Sequence, residues 1–267
     1  MIGIDYAFLD GEDHEKNFPI LVMEDSNSKM VFSNAVPCKG TKHPFPVKQA
    51  CFNPKQLGYN KIILRSDQEP AIVDLCNKIK ENMDIEIIPE HSAVGESQSN
   101  GMVERGIQDV GNIIRVLKDA LEHRYGITID SKHPVLAWLI IHGGNLLSRC
   151  QVGVDGKTAY QRWKGKPFRK AILEFGECVH FKPISRGRLA KIDVRWRDGI
   201  FLGFRESSNE YLIGTPQGVF TTYSIRRRCE RDRWDSSILA ALKGHPWQPI
   251  PLEDAAADIL PACIEVK

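Results

Sequence analysis

Three carboxylates of this chain, Asp5, Asp67 and Glu104, stand in local contexts that suit one shared pocket for divalent cations. Asp5 lies inside the apolar run Ile2-Gly3-Ile4-Asp5-Tyr6-Ala7-Phe8-Leu9, which reads as a strand, where an acid needs a reason. Gly3 and Ala7 share its strand face and leave room for ions and a phosphate. Asp67 closes a second apolar run over 61–67, at the carboxyl edge where open α/β sheets put ligands. Glu104 sits on a helix that follows the polar loop 89–101. Hard cations such as Mg²⁺ or Mn²⁺ take carboxylate oxygens and keep several waters, so three acids suffice when a substrate phosphate completes the shell. Two such ions, about 3.5–4 Å apart, activate an attacking oxygen and stabilise a leaving one in phosphoryl transfer.

Each acid also has a plainer reading. Asp5 could be an edge-strand acid facing solvent, Asp67 a cap for the helix that Pro70 starts, and Glu104 a solvated helix acid. Taken one at a time the plainer readings win, and it is the conjunction of the three acids that changes the balance. Runs over 2–9, 19–24 and 29–36 read as an antiparallel meander, with Asp25-Ser26-Asn27-Ser28 as a hairpin turn. A helix over 44–57, the strand ending at Asp67, a helix from Pro70 to Asn82 and a strand over 85–88 then alternate, which predicts a mixed α/β sheet with packed helices. In the next helix Val103, Ile107, Val110, Ile114, Leu117 and Leu121 recur at gaps of four and three, so one stripe faces a core. Glu104, Gln108, Gly111, Arg115 and Lys118 form the adjoining stripe, an acid followed by bases that could meet a phosphate backbone. A core helix over 134–150 and a short element near Thr158–Trp163 come next, then short strand-like runs at 178–181, 199–204, 211–213 and 219–223, spaced as in a small barrel.

Composition narrows the partners. The chain has 267 residues, 42% of them hydrophobic, and a net charge of +2 that hides an asymmetry. Residues 1–36 are net −5, whereas 182–233 carry twelve Lys and Arg against six Asp and Glu, which suggests a polyanion and above all nucleic acid. Trp196 between Arg195 and Arg197 strengthens that reading, because aromatic and basic side chains together hold base and backbone. Arg186, Arg188 and Lys191 belong to the same stretch, and Arg226-Arg227-Arg228 could be a phosphate clamp or a targeting signal. Seven scattered cysteines without any Cys-x-x-Cys pair predict reduced, intracellular thiols and no structural zinc. The longest apolar stretch, 134–147, is too short and interrupted to span a bilayer.

The segment Ser97-Gln98-Ser99-Asn100-Gly101-Met102-Val103-Glu104-Arg105 closely resembles the Pro-Gln-Ser-Asn-Gly-x-Val-Glu-Arg signature of retroviral and retrotransposon integrase cores. Asp67, in Arg65-Ser66-Asp67-Gln68-Glu69-Pro70, is similar in context to the second acid of that family's Asp, Asp, Glu triad, and Asp5 to the first. The stretches 157–163, 175–178 and 199–204, with Tyr211, resemble the region C-terminal to the core in copia-type retrotransposon polyproteins. Ser97 stands where the signature has Pro, Gln68-Glu69 replaces Asn-Gly, and the His and Cys pairs of the family's N-terminal zinc module are missing, so the chain reads as a piece of a longer polyprotein.

The resemblance implies an RNase H-like mixed five-stranded sheet with flanking helices, followed by a small SH3-like β-barrel. Its expected layout is a catalytic core at 1–125, a helical extension and linker at 126–176, a basic barrel at 177–230 and an unpatterned tail at 231–267. It further implies that Asp5, Asp67 and Glu104 are the catalytic residues and hold two Mg²⁺ or Mn²⁺ ions while DNA ends are trimmed and joined to target DNA. Gln98, Asn100, Gln108, Arg115, Lys118, Arg195, Trp196 and Arg197 are the expected DNA contacts, in a homo-oligomer acting on chromosomal DNA in the nucleus. Two other readings stand beside it: a remnant that only binds DNA or assembles, and a host-type RNase H-like nuclease.

Overall fold

The computed structural model describes residues 1–8, 18–91, 97–184 and 194–251, with the backbone alone at 97–100. The described residues group into two compact units, Met1–Val116 with Gly143–Lys170, and Leu117–His142 with the residues after Lys170.

The first unit is built on strands β1 (Ile2–Ala7), β2 (Ile20–Asp25), β3 (Val31–Ala35), β4 (Lys61–Ser66) and β5 (Glu86–His91). Their order is β3-β2-β1-β4-β5, antiparallel from β1 to β3 and parallel from β1 through β4 to β5. This is the mixed five-stranded sheet with flanking helices that was expected. Alternation along β1 sends Ile2, Ile4 and Tyr6 into one core, together with Leu64 of β4 and Ile87 of β5. Helices α1 (Pro44–Leu57) and α2 (Pro70–Asn82) cover that face, burying Ala50, Ile72, Leu75 and Ile79. Both start on proline, whose missing N–H costs nothing in a first turn. His43 Nδ1 accepts the Phe45 N–H ahead of α1, and Gly58, at φ 76°, closes that helix in the left-handed conformation.

The opposite face carries Gly3 and Asp5 and meets helix α3 (Ser97–Tyr125). A Cβ on Gly3 would lie 3.0 Å from Val103 Cβ, so the bare backbone gives this helix its close approach. Val103, Val110, Ile114 and Leu121 are buried as the stripe requires. Helix α4 (Pro134–Cys150) reaches β3, where the Gly144 N–H donates to Ser33 Oγ at 3.1 Å. Ser148 Oγ accepts the Val31 N–H at 2.9 Å and donates to the Val31 carbonyl at 3.0 Å, closing that edge of the sheet. Short helix α5 (Ala159–Lys164) is capped by Thr158, whose hydroxyl accepts the Gln161 N–H.

Several boundaries differ from expectation. Residues 97–101, read as loop, form the first turns of α3, and β5 runs on through Pro89-Glu90-His91 because β4 continues to pair with it. Pro89 is tolerated there because β5 is an edge strand. Residue 9 of the first expected strand lies outside the described residues.

The second unit carries strands β6 (Cys178–Phe181), β7 (Arg197–Phe204), β8 (Tyr211–Thr215), β9 (Gly218–Thr222) and β10 (Ile225–Arg227), in the order β10-β6-β7-β8-β9, all antiparallel. Phe181, Phe201, Phe204 and Ile213 fill its core. This five-stranded antiparallel sheet is consistent with the small β domain expected, and no ladder joins β9 to β10 among the described residues. The stretch after 234 is patterned up to 251: Asp235 caps helix α6 (Ser236–Ala240), Trp138 donates to the Gly244 carbonyl, and Val219 to that of Pro249. The Trp138 and Val219 bonds are long-range, and no local pattern announces them. The described cysteines, Cys38, Cys51, Cys76, Cys150, Cys178 and Cys229, are free thiols, and no described helix is long and apolar enough to cross a membrane.

Candidate metal centre

Asp5 and Asp67 reach one place because β1 and β4 are parallel neighbours. Gly3 pairs with Arg65, so Asp5 stands level with the residue just past the end of β4. One carboxylate oxygen from each of Asp5, Asp67 and Glu69 lies within 4.8 Å of the other two. Hard oxygen donors at that spacing fit a divalent cation of the Mg²⁺ or Mn²⁺ kind.

Two of these side chains are held by backbone N–H groups close by in the chain. The Tyr6 N–H donates to Asp5 Oδ1 at 2.7 Å, and the Glu69 N–H donates to Asp67 Oδ1 at 3.1 Å. Asp67 therefore does act at the helix start, but on the residue ahead of Pro70. Glu69 occupies the N-cap position of α2 without capping it, which leaves its carboxylate to turn toward the other two acids. Burial pushes the Asp5 carboxyl up to about 6, the Tyr6 N–H opposes the shift, and the charges of Asp67 and Glu69 add to it. Ser66, fully buried, lies 3.2 Å from His91 Nδ1 and donates to the Asp67 carbonyl, tying the end of β4 to β5.

Glu104 is exposed, one residue past the Val103 that packs on Gly3, and among the described residues it is not part of the acid group. Gln98 and Asn100 lie in the first turn of α3, and their side chains fall outside the described residues. Gln108 and Arg115 are exposed along the helix, with Arg115 donating to Asn112 Oδ1. Lys118 is spent on an i,i+4 ion pair with Glu122 at 2.7 Å. A further carboxyl stands on the α3 side of the sheet. Glu24 pairs in register with Gly3, and its Oε2 lies 2.6 Å from where a Cβ on Gly106 would be. Burial pushes Glu24 up to about 7, with Lys29 and Arg105 opposing and Asp109 and Asp25 adding to the shift.

In the second unit Arg195 and Arg197 are exposed, and the Arg226 guanidinium lies 4.3 Å over the half-buried Trp196 ring. Arg227 and Arg228 serve the sheet itself. Arg227 forms a two-pronged pair with the fully buried Glu177 at 2.6 and 2.7 Å, and Arg228 pairs with Asp198 at 2.7 Å. Arg186, Arg188 and Lys191 lie outside the described residues.

Sequence reasoning named Glu69 only as a departure from the signature. Its place just before Pro70, a cap position held by a long acid, was the available signal. The lysine that it pairs with, thirty residues earlier, had none.

Among solved structures, the chain is similar to the catalytic core domain of BIV integrase, with 18% identity, a TM-score of 0.40, and 61% of this chain and 93% of that one covered. It is also similar to a simian T-cell lymphotropic virus intasome in complex with PP2A regulatory subunit B56 gamma, with 13% identity, a TM-score of 0.45, and 86% and 79% covered. No protein-family model and no curated protein matches the chain.

Proposed function

We propose that this chain is an integrase-type polynucleotidyl transferase of a copia-like retrotransposon, which trims DNA 3′ ends and joins them to target DNA. The observation that carries the reading is the convergence of Asp5 and Asp67 at the carboxyl edge of two parallel strands, beside the helix that bears the Gln98-Ser99-Asn100-Gly101-x-Val103-Glu104-Arg105 signature. Bound Mg²⁺ or Mn²⁺ would supply the charge that activates the attacking oxygen and stabilises the leaving one. Asp5 and Asp67 would hold the ions, with Glu69 beside them and Glu104 arriving from α3. Gln108 and Arg115 on α3, and Arg195, Trp196 and Arg197 in the second unit, would hold DNA mainly by its backbone. The protein would act as a homo-oligomer in the nucleus. Incubation with DNA carrying the element's ends and Mn²⁺ should give nicking and strand transfer that Asp67→Asn abolishes. Metal-independent nicking, or activity unchanged by Asp67→Asn, would overturn the reading.

A second reading, a DNA-binding or assembly module without turnover, is favoured by the exposed position of Glu104 outside the acid group. It wins if the chain binds DNA, Glu104→Gln binds equally well, and neither cleaves.

A further inference from the structure

The acid group has a cation of its own. Lys39, between β3 and α1, places its Nζ 2.7 and 3.0 Å from the two carboxylate oxygens of Glu69. The ammonium lies 5.4 Å from the Tyr6 ring centroid and 4.9 Å from that of Phe8, and the side chain is only 27% exposed. The stretch that carries it is tied to β1, because the Gly40 N–H donates to the Tyr6 hydroxyl at 2.9 Å. A surface lysine spends entropy to reach one partner, whereas this one is seated on two aromatic faces and one carboxylate.

We propose that Lys39 is a built-in counter-ion that holds Glu69 and thereby sets the affinity of the Asp5–Asp67–Glu69 group for divalent cations. The proposal rests on the metal reading above. Three carboxylates this close repel one another, and an ammonium on one of them relieves part of that repulsion while the group holds no metal. The same ammonium opposes an incoming cation twice, by its charge and by keeping Glu69 engaged. Lys39 is thus a positioning residue, acting on a metal through Glu69.

The test is Mn²⁺ titration of the full chain, followed by electron paramagnetic resonance of the free ion, on the parent, Lys39→Met, Glu69→Gln and the double variant. Lys39→Met should tighten Mn²⁺ binding roughly tenfold, mostly through the Glu69 carboxylate that it sets free and in smaller part through loss of its own charge, which salt screens. In the Glu69→Gln background the same change should do much less, because the group that Lys39 holds is gone. Lys39→Gln, which stays polar, should follow Lys39→Met, and all variants should keep the parent's circular dichroism. Unchanged or weaker binding by Lys39→Met overturns the proposal, as does an equal effect in both backgrounds or a response of Lys39→Met alone. A parent chain that binds no Mn²⁺ overturns the metal reading and this proposal together, whereas binding that ignores Lys39 overturns this proposal only.

Discussion

Two carboxyls on the α3 side of the sheet are pushed up for the same reason, burial, with different consequences. Asp5 has acids beside it, to which a cation would bring relief. Glu24 lies against Gly106 and carries its burial cost permanently. Its folded-state value of about 7 lies above the ordinary 4.5, so its relative stabilisation is complete below pH 4.5 and is lost as pH rises through 7. Glu24→Gln has no charge to bury. It should match the parent near pH 4 and exceed it at pH 8, by on the order of 1 kcal/mol after allowing for partial exposure. Thermal melts at the two pH values check this, and a Tm gap that does not depend on pH would refute the assignment.

The elements owe their positions to bare backbone at helix–sheet crossings. At Gly144 an added Cβ would meet both the Ser33 hydroxyl and its backbone nitrogen, and would strain the bond that ties α4 to β3. Gly144→Ala should cost roughly 1–3 kcal/mol by chemical denaturation. At Gly111 nothing lies within 4 Å of an added Cβ. Gly111→Ala should therefore gain up to about 1 kcal/mol of helix propensity, so the two substitutions on neighbouring helices should move Cm in opposite directions. The same contrast marks how much of the fold was legible in the sequence. Both ends of α1 follow from Pro44 and Gly58, and the starts of α2 and α4 from Pro70 and Pro134, which act within one turn of themselves. Asp5 inside one apolar run and Asp67 closing another were legible as acids in need of a reason, and the family resemblance joined them into one site. The continuation of β5, strand β10 and the order after Trp234 depend on partners far along the chain, and local patterning is blind to these. Glu69 was visible as an anomaly but not as a neighbour of Asp5, because that requires knowing which strands are parallel.

On the scale of the whole molecule, net charge overstates how many bases face outward. Arg227 and Arg228 are committed to Glu177 and Asp198, whereas Arg195 and Arg197 are exposed beside the Trp196 and Arg226 stack. If these residues hold DNA, Arg195→Ala should flatten the dependence of log K on log salt by about 0.9. Arg228→Ala should leave that slope alone and lower Tm instead; a slope change from Arg228→Ala would mean that its pairing with Asp198 gives way to DNA. A different consequence comes from the two edges of the first sheet. On β3 the side chain of Ser148 takes up both backbone groups of Val31, and on β5 Pro89 offers no N–H, between Glu86 and Glu90, which are paired to Lys61 and Arg65. Neither edge invites another strand to add to it. Opening the β5 edge should therefore create a template for strand addition, and Pro89→Val with Glu90→Val should thicken into β-rich aggregates on standing faster than the parent chain.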